Sequence, residues 1–273
     1  MKFAVRVACV AFLTALVGWG CGGGGGDSSD QGGSSAPASS AGGSSSAGAS
    51  HAASGATATL MGKVNLAGAA PERNPLKMTA DPACAQQHED MPALAQDVIV
   101  NDQGMLKNVF VYVKNGLEGH EFDTPEEPVV LDQKGCVYTP HVIGMMVKQD
   151  LKILNSDPTL HNIHALPKVS GNKEFNLGMP RQGMEFSKTF ENPEVMIRIK
   201  CDVHPWMASY VGVLPHPYYA VSGDDGGFRI ADLPAGEYTI EAWHERYGTQ
   251  AQTITVGDSP NVEVSFTFQS TGS

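Results

Sequence analysis

Within Cys201-Asp202-Val203-His204-Pro205-Trp206-Met207 the chain sets a thiol, an imidazole and a thioether on one short stretch. The run ahead of it, Val195-Met196-Ile197-Arg198-Ile199-Lys200, alternates as a strand, and Cys201 keeps the parity of Val195, Ile197 and Ile199. The thiol is therefore expected to point inward. A second cluster lies upstream, where a strand carrying Leu151 and Ile153 inward ends in the turn Asn155-Ser156-Asp157-Pro158 and His161 opens the next segment. Thiol and imidazole together suit metal ligation. A Cys–His nucleophilic pair is disfavoured, because both residues share one tight turn and no third orienting group or oxyanion loop accompanies them. The bland reading of a buried thiol, a surface His204 and a core Met207 is weakened by His161-Asn162 elsewhere.

The cysteines bear on the choice through the compartment. Lys2 and Arg6 precede an apolar run, Val7 to Trp19, that is too short for a membrane span and right for a secretory signal over residues 1–20. Cys21 follows and opens Cys-Gly-Gly-Gly-Gly-Gly, which resembles a bacterial lipoprotein cleavage site; the resemblance implies a lipidated Cys21, against simple secretion. Residues 21–57 are mostly Gly, Ser and Ala and read as a disordered tether, whose Gly/Ser stretch of roughly 35 residues spans about 30–35 Å. Cys84, Cys136 and Cys201 remain in an oxidising compartment, where two should pair; Cys84 with Cys136 leaves Cys201 alone. A lone exported thiol needs protection, and metal ligation is one form of it. Cys84 and His88 stand at a helical i, i+4 spacing that could also ligate, but Cys136, in the turn Gln133-Lys134-Gly135-Cys136, then lacks a partner.

The elements that must position these groups read as all-β. Strands are expected over 59–65, 97–101, 109–114, 128–131, 141–147, 151–155, 185–190, 194–201, 209–214, 227–230, 238–243, 253–256 and 262–268, with a loop or short helix at 81–88. In the last of these Val262, Val264, Phe266 and Phe268 alternate against Glu263, Ser265 and Thr267.

Asn155…Asp157…His161-Asn162, followed by Cys201-x-x-His204, resembles the cupredoxins, the small blue copper proteins; Val137-Tyr138-Thr139-Pro140-His141-Val142-Ile143 and Gln149-Asp150-Leu151 look like the strand pair leading to their first ligand loop. The resemblance covers residues 128–214 and implies a Greek-key β-sandwich holding one copper through His161, Cys201 and His204. Met207 would be the axial ligand and Asn162 would tie the two ligand loops together. Met207 stands closer to His204 than the plastocyanin-like spacing, in which Ser209 would occupy that place. A His-x-x-Met ending resembles the binuclear loop of cytochrome oxidase subunit II, yet one cysteine here implies a mononuclear centre. Imidazole and thiolate tolerate both copper oxidation states, which suits one-electron transfer. His204 is expected to show an exposed edge to a redox partner, with Trp206 and Pro205 as shield or docking patch. His164 is expected to be solvated.

Residues 218–269 carry Gly227-Phe228-Arg229-Ile230-Ala231-Asp232-Leu233-Pro234-Ala235-Gly236-Glu237-Tyr238. They resemble the carboxypeptidase regulatory-like (transthyretin-like) β-sandwich. That module begins with strands like Met61-Gly62-Lys63-Val64 and Asn108–Val113, so residues 58–116 either extend a copper domain over 58–217 or contribute strands to the C-terminal sandwich. His244-Glu245 is expected to be a sheet-edge pair. The layout resembles exported bacterial plastocyanin-like proteins of the methylamine-utilisation kind, and implies a periplasmic or cell-surface electron carrier rather than an enzyme. Copper buffering or delivery, and a metal-free adhesion scaffold, are the alternatives. A net charge of −11, from 29 acidic and 18 basic residues, argues against nucleic acid and against an anionic membrane face, leaving the lipid as the only membrane contact. It suits a cationic redox partner, soluble or membrane-bound.

Overall fold

Alternating apolar residues broken by Gly, Pro and Asn turns give strands almost throughout residues 55–270, the part described by the computed structural model. The leader, Cys21 and all but the end of the tether lie outside those residues, and β1 begins inside the segment read as tether. Along the chain come β1 (Thr57–Ala67), α1 (Pro82–Gln87) and β2 (Phe110–Asn115). Nine strands follow: β3 (Val129–Lys134), β4 (Val137–Thr139), β5 (Val142–Met146), β6 (Leu151–Asn155), β7 (His161–Leu166), β8 (Phe175–Met179), β9 (Met184–Lys188), β10 (Glu194–Lys200) and β11 (Ala208–Leu214). The last are β12 (Tyr219–Val221), β13 (Gly227–Pro234), β14 (Gly236–His244), β15 (Gly248–Val256), β16 (Asn261–Glu263) and β17 (Phe266–Gln269).

Pairing sorts these strands into two sandwiches, all-β as the sequence implies. In the first, the sheets are β5-β11-β10-β7-β8 and β4-β3-β6-β9, closing on Leu131, Tyr138, Ile153, Ile163, Ile199 and Val211. In the second, β13-β1-β16, with β17 also on β1, faces β12-β2-β14-β15 across Leu60, Val64, Val111, Ile240 and Phe266. Strands β3 to β11 are thus one continuous insertion between β2 and β12, and β1 and β2 pair with the C-terminal strands. Gly62 marks where the partner of β1 changes from β16 to β17: a Cβ there would lie 1.6 Å from the Val264 carbonyl oxygen, so glycine is required for that approach.

The two sandwiches meet on Phe110, Tyr112, Val142 and Leu214, with Tyr219 and Trp243 packed on them. Gly144 and Gly212 leave the flat surface on which the rings of Tyr219 and Phe110 lie. His141 and Glu245 pair across the same junction, so Glu245 serves there, and His244 is 1% exposed in the core rather than at a sheet edge.

A buried histidine makes this sandwich sensitive to acid. His216 donates its Nε2 hydrogen to the Val113 carbonyl at 2.9 Å, and its Nδ1 accepts the Tyr218 N–H at 3.2 Å, so both nitrogens are committed to the neutral ring. Burial pushes its pKa down from 6.5 to about 4, and burial does the same to His244. The folded chain therefore binds fewer protons than the unfolded chain between those values. Its stability is full above 6.5 and falls as pH drops toward about 4, by roughly 3 kcal/mol per ring. Urea melts from pH 7 to 4 are expected to follow that slope, and His216→Gln to make it shallower.

Candidate metal centre

The first half of the centre is set by the turn after β6. Asn155 is fully buried; its amide donates to the carbonyls of Thr159 (3.0 Å) and Met179 (2.8 Å), and its Oδ1 accepts the Asp157 N–H at 3.0 Å. These bonds fix where β7 starts, and the alternation of β7 turns His161 inward with Ile163 and Ala165. The second half hangs from β10. Ile197, Ile199 and Cys201 are buried in one phase, but Val195 is 37% exposed. A bulge between Glu194 and Ile197, with Met196 at φ 66°, breaks the register, so the inward phase begins after Val195 and not at it.

The loop from Cys201 to Met207 is closed by its own backbone, the Met207 N–H on the His204 carbonyl at 2.9 Å. Asn162 joins it to the other half. Its Oδ1 accepts the N–H of Asp202 at 2.6 Å and lies 3.1 Å from Cys201 Sγ, while its carbonyl accepts the Tyr138 hydroxyl at 2.6 Å. The His204 N–H points at Cys201 Sγ from 3.3 Å, a donor that favours thiolate.

Donor atoms of His161, Cys201 and His204 all lie within 4.8 Å of one another. The two Nδ1 atoms are 2.8 Å apart, and Cys201 Sγ is 3.8 Å from Nδ1 of His204. Each far nitrogen meets a carboxylate: His161 Nε2 donates to Asp157 at 2.9 Å and His204 Nε2 to Asp81 at 3.0 Å. Both rings therefore carry hydrogen at Nε2 and turn Nδ1 toward the thiol. A carboxylate behind each imidazole fixes its tautomer and orientation, as it does for metal-bound histidines generally.

The electrostatics agree. Burial opposes charge on His161, but the Asp157 bond and the Cys201 sulfur outweigh it and raise the imidazole to about 9. Burial likewise opposes a Cys201 thiolate, yet His161 and the backbone donors beyond it bring the thiol below its ordinary value. His204 moves the other way, lowered chiefly by burial. Asp157 and Asp81 are held below the usual carboxyl range, because hydrogen bonds from His161 and from His204 overcome their own desolvation. One thiol and two imidazoles, their Nδ1 atoms 2.8 Å apart, converge so that together they could hold one cation. Thiolate plus imidazole fits copper in both oxidation states, with zinc as the competing ion.

Met207 is buried in the same core cluster as Cys201 and lines a cavity of about 250 Å³ with Trp206, Leu76, His141 and Glu245. His164 lies apart from the donors, its nitrogens bonded to Asp202 at 2.9 Å and to Glu174 at 2.7 Å. Cys84 and Cys136 are joined in a disulfide, and His88 bonds the Gly135 carbonyl at 2.8 Å, so the Cys84–His88 spacing serves structure.

The expectation of an exposed His204 edge fails: the residue is 1% exposed. The segment bearing α1 covers it, placing Asp81 on Nε2 and Cys84 Sγ 3.8 Å from the same atom. Trp206 completes the cover, its ring 5.0 Å from the imidazole and its Nε1 donating to the Cys136 carbonyl at 2.9 Å. Sequence reasoning gave no role to either carboxylate. Asp157 stands four residues before His161, and Asp81 before Pro82 reads as a helix N-cap, which it is. Nothing in the chain's order joins Asp81 to a residue 123 positions later.

Residues 211–269 match the family model of the Carboxypeptidase regulatory-like domain. No curated protein matches the chain. Among solved structures, a copper-containing nitrite reductase from Thermus scotoductus SA-01 overlaps 35% of this chain and 24% of its own, at 22% identity and TM-score 0.29. This chain thus spans about a quarter of that protein. A purple cupredoxin from Nitrosopumilus maritimus overlaps 31% of this chain and 98% of its own, at 24% identity and TM-score 0.27. A mutant amicyanin in the oxidised state overlaps 38% and 97%, at 18% identity and TM-score 0.29. At those scores the likenesses add no weight to the site, which rests on its own side chains, and the family assignment reaches only the C-terminal residues: they are similar to the carboxypeptidase regulatory-like domains.

Proposed function

We propose that the chain is an exported one-electron carrier that holds a single copper ion between His161, Cys201 and His204, with Met207 as the axial thioether. The observation that carries this reading is the convergence of both Nδ1 atoms on a buried thiol while both Nε2 atoms are tied to carboxylates. Copper supplies a one-electron couple when bound there. The protein's part is to hold the donors still. Asn162 locks the two loops, Asp157 and Asp81 fix the rings, and burial under α1 and Trp206 keeps water from the sulfur. A site so enclosed supports retention over exchange, and so a carrier over a buffering or delivery protein. No catalytic group beyond these donors enters the reading. The same proposal places the chain in the periplasm or at the cell surface, lipid-anchored through Cys21 and docking a soluble or membrane-bound redox partner.

The test is an absorption and EPR spectrum of the copper-loaded protein beside Cys201→Ser. An intense thiolate-to-copper band, lost in the variant, is the expected result; a wild-type protein with no such band overturns the reading. Met207→Leu is then expected to shift the spectrum and potential with copper still bound.

A further inference from the structure

Where the two sandwiches meet, the surface opens into a groove of about 400 Å³. The end of β2 and the loop after it form one wall; the residues around the start of β10 and the end of β11 form the other. Its apolar lining includes Leu117, Phe122, Val195, Leu214 and Pro215. Val195 belongs to it because of the bulge in β10: with Met196 at φ 66° the alternation breaks, and Val195 is left 37% exposed instead of turning into the core. Phe122 is braced from below, its ring edge-on to Tyr218 at 5.5 Å and to His216 at 6.4 Å. The apolar floor therefore exists before anything binds. None of His161, Cys201, His204 or Met207 lines the groove, and the length of β10 parts Val195 from Cys201, roughly 20 Å of strand.

The charge beside this floor has one sign. Glu118 lines the groove, Glu121 and Asp123 flank Phe122 in the chain, Glu126 and Glu127 follow, and each is exposed. Residues 118–127 contain no Lys or Arg, and none of these carboxylates forms an ion pair among the described residues. Lys114, the lysine of the lining, is held by Glu241 at 2.5 Å, and His216 is committed to the Val113 carbonyl as a neutral ring. The groove thus pairs an apolar floor with carboxylates that the chain itself leaves unanswered.

We propose that this groove docks a basic segment of a partner protein, with lysine or arginine stems lying along the apolar floor and their charged heads reaching the carboxylates. A second copy of this chain, with the same net charge of −11, would bring like charge to the rim. The chain's own residues 21–57 contain no Lys or Arg and consist mostly of Gly, Ser and Ala, so they lack both the stem and the charge. A basic segment supplies both. Because the walls belong to different sandwiches, such an occupant bridges the joint. The site goes beyond the proposed copper centre and does not depend on it.

The experiment uses the metal-free chain at low ionic strength, with fluorescein-labelled hexalysine as the probe and fluorescence anisotropy as the readout. Saturable binding is expected, with NMR amide shift changes centred on Phe122 and Val195. The variant carrying Glu118→Gln, Glu121→Gln and Asp123→Asn is expected to bind about tenfold more weakly. A control with the same change of charge elsewhere on the surface, Glu237→Gln, Asp258→Asn and Glu263→Gln, is expected to stay within about twofold of the wild type. Val195→Ser, which alters no charge, is expected to weaken binding about threefold. All of these positions are exposed, and circular dichroism checks that each variant keeps the fold. Equal losses in the two triple variants would reduce the attraction to net charge and overturn the proposal. So would absent binding, or shift changes that leave out Phe122 and Val195. A concentration-dependent dimer broken by Val195→Ser would put a second copy in the groove and overturn it as well. Because no copper is present, each outcome bears on the groove alone.

Discussion

Asp157→Ala is expected to cost roughly 3–5 kcal/mol in the metal-free protein and to lower copper affinity about ten- to a hundredfold. The carboxylate is 2% exposed and accepts three hydrogen bonds: from Gly135 N–H at 2.8 Å, Cys136 N–H at 2.7 Å and His161 Nε2 at 2.9 Å. Removing it strands two backbone donors and leaves the His161 imidazole charge without its partner, each loss being of order 1–3 kcal/mol. It also frees the ring to turn, so that Nδ1 no longer faces Cys201. Asp157→Asn keeps the shape and an acceptor, and is expected to lose less stability while lowering the raised pKa of His161. Urea titration of the metal-free protein measures the first effect, and competition against a copper chelator the second. A variant that binds copper as the wild type does would remove Asp157 from the centre.

Phe110→Ala is expected to cost about 3–5 kcal/mol and to uncouple the sandwiches. Phe110 is fully buried, with its ring centroid 5.5 Å from Tyr112 and 5.7 Å from Tyr219. It lies where Gly144 and Gly212 leave room for it on β5 and β11, the inserted module. Truncation opens a cavity at the joint, not inside either core. A single unfolding transition should therefore split in two steps by far-ultraviolet circular dichroism, which sees both sandwiches, with copper absorption following only one of them. Phe110→Leu should lose less and keep one transition.

Much of the fold is legible in the order of residues, where period and punctuation agree. Leu151-Lys152-Ile153-Leu154-Asn155 gives its strand to the residue, because alternation and an Asn-Ser-Asp-Pro stop coincide. The strand at 219–221 escapes notice because it is three residues long, too short to show a period. The strand at His161–Leu166 is hidden by its own donor, since His161 occupies an inward place that pattern reading reserves for apolar residues. The reverse error occurs at 97–101, where alternation suggests a strand and the structure has only an isolated bridge from Val100 to Leu106.

The site divides along the same line. Cys201, His204 and His161 are readable because thiol and imidazole are rare and their loops are short. Asp81 and the cover over His204 are not, because an aspartate before a proline has a sufficient local explanation as a helix cap. Its second partner arrives only when the chain has folded.

The path of the chain also decides where a mechanical load goes. A pull on the chain ahead of Gly55 enters through β1, which is held on both edges, antiparallel by β13 and parallel by β16 and β17. Those hydrogen bonds lie across the strand, so they resist together in shear rather than opening one at a time. The force ends in the sandwich built from the first and last strands, and the inserted strands carrying His161, Cys201 and His204 stand outside the line of tension. A load entering at Gly55 thus meets β1 before it reaches the donor atoms.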